Sequence, residues 1–136
     1  MNNLEPMQDE TDVRLYVFSV NRTAEQITAI IGLPCDKSWR IGDKRGKSII
    51  LQKENCWAIH SSLPKSTPID VQTEELLERI SPYKNKILEI SQVDTVQFSW
   101  IIYATSRPPL HLSKAVVKEI SQLGASLDID LYFRNE

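Results

Sequence analysis

The ten residues Thr95–Ala104, TVQFSWIIYA, constrain this chain more than any other stretch. Val96, Phe98, Trp100 and Ile102 alternate onto one face while Ile101 and Tyr103 partly cover the other, the period-two pattern of a well-buried strand. The reading is a central strand of a sheet. Other segments carry the same period. Val13, Leu15 and Val17 oppose Arg14, Tyr16 and Phe18. In Cys56–Leu63, Trp57, Ile59 and Leu63 oppose Cys56, Ala58, His60 and Ser62, and Pro64 ends the run because it cannot extend a ladder. Leu127, Ile129, Leu131 and Phe133 are read as inward, with Asp128, Asp130 and Tyr132 outward. Ile49-Ile50-Leu51 is read as a short strand pairing with the one that follows, across a turn at Gln52–Asn55.

Between the strands the period changes to that of helices. Thr23 and Gln26 make a capping box, Ile27, Ile30 and Ile31 fall on one face, and Gly32 supplies the stop, so the spacing predicts a helix over 24–31. Leu76, Leu77 and Ile80 begin a helix that Ser81-Pro82 breaks or restarts, and Tyr83, Ile87 and Ile90 continue it. Ser113 is an N-cap, Leu112 and Val117 are placed as a hydrophobic staple, and Val116, Ile120 and Leu123 form the stripe before Gly124. At 136 residues there is room for one domain. Residues 1–12 carry Glu5, Asp9, Glu10 and Asp12 with little to bury and read as a flexible acidic tail, leaving 13–136 as the domain. Helices recurring between strands, all on one sheet face, give a two-layer α+β sandwich, mainly antiparallel and of ferredoxin-like type. Val13–Gly32 and Val96–Gly124 share the order strand, capped helix, glycine. That suggests a pseudo-twofold internal repeat, the alternative being that this order is simply common.

Composition excludes more than it assigns. The longest apolar run is far shorter than the ~18 residues of a membrane span, and no basic-then-apolar leader pattern opens the chain. Cys35 and Cys56 fit neither a paired metal spacing nor a disulfide framework, which agrees with a reducing, cytoplasmic setting. The net charge of −2 selects no partner.

The segment Lys37–Ser48, KSWRIGDKRGKS, is the one basic concentration. Gly42–Ser48 reads G-x-x-x-G-K-S, one residue short of a phosphate-cradling loop and followed by a strand where that loop needs a helix, so a P-loop is rejected. A basic, glycine-flexible loop carrying Trp39, Arg40, Lys44, Arg45 and Lys47 suits a phosphate, an RNA backbone or an acidic protein surface. The plain alternative is a solvated connection with Trp39 plugged into the core. Asp128 and Asp130 share a strand face about 7 Å apart, which makes them weak candidates for a divalent cation. His60 and His111 are the only histidines. Cys56 and His60 lie roughly 13 Å apart along one strand, too far for a thiolate–imidazole pair, and Ser61, Ser62 and Ser106 lack an activating motif.

Thr23-Ala24-Glu25-Gln26-Ile27 with Gly32-Leu33-Pro34, then Trp39-Arg40-Ile41-Gly42-Asp43, then Trp57–Pro64, and finally Gly124 with Leu127–Tyr132, form an ordered set. Together they make the chain similar to the bacterial family catalogued as domain of unknown function 4279. The resemblance covers nearly everything after the tail and implies a fold and a bacterial origin, with no reaction and no catalytic residues to transfer. Three function classes follow. The leading one is a non-enzymatic binding protein whose partner is another protein, such as a toxin or defence component that it neutralises or regulates. Its contacts would be the basic loop with Tyr103 and Tyr132; a homodimer is compatible with it, and nucleic acid is a less favoured partner. The second is a small-ligand or nucleotide-binding domain using the loop. The third is an enzyme, for which Asp128, Asp130 and His60 are the candidates. No cofactor is implied.

Overall fold

The computed structural model describes residues 9–134. The strands are β1 (Glu10–Ser19), β2 (Lys37–Trp39), β3 (Asn55–His60), β4 (Thr95–Ala104) and β5 (Ser126–Phe133). The helices are α1 (Ala24–Ile31), α2 (Ile69–Ile80), α3 (Lys84–Ser91) and α4 (Lys114–Gln122), with a 3-10 turn at Ser81–Tyr83 joining α2 to α3. The strands form one sheet in the order β2-β3-β1-β4-β5, antiparallel throughout except for the β4–β5 pair. This is an α+β fold. The elements β1 to β4 follow the order β-α-β-β-α-β, and α4 and β5 are appended as a parallel crossover. The connection through α1 steps over the position of β3, whereas the one through α4 lands on the adjacent position, so the two strand–helix–glycine halves differ in their crossovers.

One core joins the layers. Val13, Leu15 and Val17, Trp57 and Ile59, and Val96, Phe98, Trp100 and Ile102 pack against Ile27 and Ile31 of α1, Leu76 and Ile80 of α2, Ile87 and Ile90 of α3 and Ile120 of α4. The two buried indoles stand on the strands either side of β1. Trp57 Nε1 donates to Thr28 Oγ1 at 3.1 Å and Trp100 Nε1 donates to Thr73 Oγ1 at 3.0 Å, so each strand is tied to a helix through a satisfied polar contact. The caps form as the sequence indicates. Thr23 Oγ1 accepts from the Gln26 N–H while Gln26 Oε1 accepts from the Thr23 N–H, Gly32 is left-handed at φ 88°, and Ser113 Oγ accepts from the Val116 N–H.

Four expectations are corrected. The middle strand is β1, with β4 beside it. That first strand begins at Glu10, inside the stretch read as tail. Thr11 Oγ1 donates to the Thr67 carbonyl, and the buried Gln72 amide donates back to Thr11, while Asp12 is neutralised by Arg14 at 2.6 Å. The rest of the tail reading, residues 1–8, lies outside the described residues. Ile49–Leu51 is not a strand. The antiparallel partner of β3 is Lys37–Trp39, and Leu51 makes only an isolated bridge to Lys44. Finally, Ile129, Leu131 and Phe133 do lie on the helix side, in register with Trp100, Ile102 and Ala104. They nevertheless remain 39%, 36% and 64% exposed, because β5 is an edge strand that the nine-residue α4 covers only at its start.

Candidate functional site

All four helices cover one face of the sheet, so the residues of opposite parity line a helix-free face. On β1 these are Arg14, Tyr16 and Phe18, which the alternation placed opposite the buried set without assigning them a role. Tyr16 and Phe18 stack with ring centroids 5.3 Å apart and 15° between planes, and Trp39 of β2 leans on Phe18 at 6.3 Å and 44°. Trp39 is half-buried here at the sheet edge, so it is neither a core plug nor a free side chain. Beneath it Cys56 is sealed, and burial pushes its thiol up to about 12, with Cys35 adding to the effect. Such a thiol stays protonated at neutral pH and is a poor nucleophile. Arg14 donates to the Tyr16 hydroxyl at 2.9 Å; burial still holds the Tyr16 phenol above its ordinary range.

The basic segment builds one wall of this face. It folds back on itself as an irregular hairpin: the Gly42 N–H donates to the Gln52 carbonyl, the Gln52 N–H to the Asp43 carbonyl, and the Arg45 N–H to the Ile50 carbonyl. The turn Arg45–Ser48 is closed by a 3.0 Å bond from the Ser48 N–H to the Arg45 carbonyl, with Gly46 at φ 57°, a left-handed conformation that favours glycine. Its base is anchored by Asn55, whose carbonyl oxygen accepts from the Ile41 N–H and whose amide donates to the Arg22 carbonyl. The returning arm therefore closes the loop instead of extending the sheet, and it turns its apolar side chains to water. Ile49 is 93% exposed, Ile50 54% and Leu51 50%.

Between hairpin and sheet lies a cleft of about 340 Å³ lined by Tyr16, Phe18, Trp39, Arg45, Gln52 and Asp130, among others. Of the basic-loop residues read as candidates, the structure brings Trp39 and Arg45 into this cleft. Arg45 Nε donates to Gln52 Oε1 at 3.3 Å. Arg40 instead turns to α1, 3.3 Å from Glu25, while Lys44 and Lys47 sit exposed on the hairpin. Tyr103 and Tyr132 stack at 5.1 Å farther along the same face, beneath the Arg134 guanidinium at 5.0 Å from the Tyr103 ring. Asp130 joins the cleft wall and Asp128 does not. Among the described residues no group of three or more His, Cys, Asp or Glu side chains could hold a metal ion. The cation reading of Asp128 and Asp130 thus gains no further ligand.

His60 lies elsewhere, at the end of β3. Its Nδ1 is 3.0 Å from the Ser61 carbonyl and its Nε2 3.9 Å from Asp36, which Arg79 also approaches at 3.8 Å. The neighbouring Ser61 hydroxyl oxygen accepts from the Leu63 N–H and so serves the turn. The arrangement is that of a charged strand end, with no activated nucleophile on it.

Fold and site together define a two-layer α+β domain that presents an aromatic, helix-free sheet face bordered by a basic hairpin. The family model described as "Domain of unknown function (DUF4279)" matches residues 9–134, and the chain belongs to that family. Neither the curated proteins nor the solved structures contain a match to it. Among the described residues no helix is long and apolar enough to cross a membrane.

Proposed function

We propose that the chain is a non-enzymatic binding domain of a bacterial cytoplasm that engages another protein, acting as an immunity or accessory partner that neutralises or regulates a toxin or defence component. The observation that carries this reading is the tip of the hairpin. Ile49, Ile50 and Leu51 are held out by backbone hydrogen bonds and flanked by Lys44, Arg45 and Lys47. An ordered apolar patch rimmed by one sign of charge is suited to a partner surface with an apolar pocket and an acidic border, since burial supplies affinity and charge supplies orientation. The aromatic face continues that surface toward the sheet.

The test compares three baits in a pull-down from the host, read by mass spectrometry: the unaltered chain, Ile49→Ser with Ile50→Ser, and Arg45→Glu with Lys47→Glu. A partner retained by the first and lost with the other two supports the reading, and its capture should weaken as salt is raised. Identical capture by all three removes the hairpin from the interface. The cleft favours a second reading, a small planar ligand bearing a phosphate, stacked on Trp39 and Phe18 with Arg45 facing its charge. A rise in melting temperature with nucleotides that Trp39→Ala abolishes would favour it over a protein partner.

A further inference from the structure

We propose that two copies of the chain pair through β5, antiparallel about a twofold axis at Leu131, to join their sheets into one. The Arg134 N–H donates to the Ala104 carbonyl at 2.8 Å in the parallel ladder with β4. Because backbone groups alternate along a strand, the N–H and C=O groups of the even residues in β5 turn to β4. Those of Leu127, Ile129, Leu131 and Phe133 turn to the open edge. Among the described residues no strand pairs there. The sequence SLDIDLYF contains no proline and no lysine, and its only charges, Asp128 and Asp130, share the helix-free face, so they oppose pairing only in registers that bring them together.

The same odd residues carry the half-exposed apolar side chains on the helix side, beside an apolar groove of about 400 Å³ lined by Leu112, Val117, Gly124 and Leu127, among others. What selects a second copy of the chain as occupant is charge. A twofold axis perpendicular to the sheet keeps each face with its own kind, so opposed residues must have the same parity. Four registers then overlap most of the strand. Centring on Ile129 sets Asp128 against Asp130 of the other copy, and centring on Asp128 or on Asp130 sets that aspartate against itself. All three place like charges opposite one another. Centring on Leu131 sets Asp130 against Tyr132, Asp128 against Arg134 and Ile129 against Phe133. It also makes Leu131 a hydrogen-bonded pair with its own counterpart, using the amides that face the edge. With its two aspartates on one side of Leu131 and Arg134, which also meets Glu10 at 3.4 Å, on the other, the strand is complementary to itself when reversed in this register. The dimer would carry its two basic hairpins at opposite ends of the continuous sheet, since β2 and β5 are its two edges.

Sedimentation equilibrium on the full chain should return twice the 15.6 kDa of one copy, and Leu131→Lys should return one copy with an unchanged circular dichroism spectrum. If that variant fails to fold, Phe133→Lys, at a still more exposed position, replaces it. Register is read by disulfide trapping in a Cys35→Ser background. Asp130→Cys mixed with Tyr132→Cys should cross-link under mild oxidation, because opposed non-hydrogen-bonded residues bring their Cα atoms to about 4.5 Å, while Asp130→Cys alone should not. A single copy at every concentration, or a dimer indifferent to both lysine variants, overturns the proposal. Efficient cross-linking of Asp130→Cys alone overturns the Leu131 axis.

Discussion

Thr73 and Thr28 each hold the indole N–H of a fully buried tryptophan, and an apolar replacement of similar shape isolates that donor in the core. Thr73→Val should cost about 1–3 kcal/mol, the penalty of an unsatisfied buried group, seen as a lower urea midpoint at constant slope. Trp100→Ala should cost about 3–5 kcal/mol. At Gly124 two effects combine. Its φ is +68°, and a Cβ there would fall inside the Ser91 side chain, 2.6 Å from that residue's Cβ. Gly124→Ala should therefore lose about 1–2 kcal/mol to conformation and a further ~1–3 to the clash, and adding Ser91→Gly should return only the second part. The cysteines differ by burial: Cys56 is sealed and Cys35 half-exposed, so at pH 8 a thiol reagent should label Cys35 alone until the chain is denatured. Since burial raises the folded-state pKa of Cys56 from 9.0 to about 12, the folded chain keeps a proton that the unfolded one releases. Its contribution to stability is present in full below pH 9 and falls as pH rises from 9 toward 12. At this scale the sequence was most informative where a side chain has one task. The caps at Thr23 and Ser113 and the stop at Gly32 were legible, whereas Tyr16 and Phe18 were not, although two aromatics on the supposed solvent side of a strand were a signal that something covers or contacts them.

Elements whose stripe faces a complete layer were read correctly, and those at the margins were not. The core parity of β4 follows from sequence because α3 packs on it and α2 is tied to it through Thr73 and Trp100. For β5 the same alternation gives the right face and the wrong burial, since exposure depends on how far α4 reaches. The strand β2 is three residues long and mostly polar, with no periodicity to find, so Ile49–Leu51, more apolar, took its place in the sequence reading. The early start of β1 has the opposite cause. Thr11 matters for its backbone carbonyl and hydroxyl, which the buried Gln72 amide requires at 3.0 Å and 2.6 Å, and no apolar stripe announces that. A chain beginning at Val13 leaves the Gln72 amide only its 2.9 Å bond to the Thr67 carbonyl, so it should be less stable than one beginning at Asp9 by about 1–3 kcal/mol, measured by urea unfolding. Near-equality would mean that the first turn of β1 is dispensable.

For the molecule as a whole, the fold was legible because burial stripes, caps and glycines agree with one another. The site was legible in part: Trp39, Arg45 and Asp130 stood out in the sequence and line the cleft, but what joins them is made where elements meet, at a hairpin closed by its own backbone, a strand edge, and the side of β1 that the core does not use. Its residues gain meaning only from the sheet order. That separation makes a prediction about stability. Arg45→Glu with Lys47→Glu, on an exposed hairpin away from the core, should leave the melting transition within about ±0.5 kcal/mol of the unaltered chain, so any lost binding is read directly as lost contact. The three tryptophans extend the point. Two are locked in dry surroundings on either side of β1, and the third stands at the lip of the cleft. Excited together, the first two give a constant blue-shifted background while Trp39 alone answers to quenchers and to whatever settles on the open face. The protein thus carries a single native optical reporter at its candidate site, and a titration followed by emission wavelength needs no added dye.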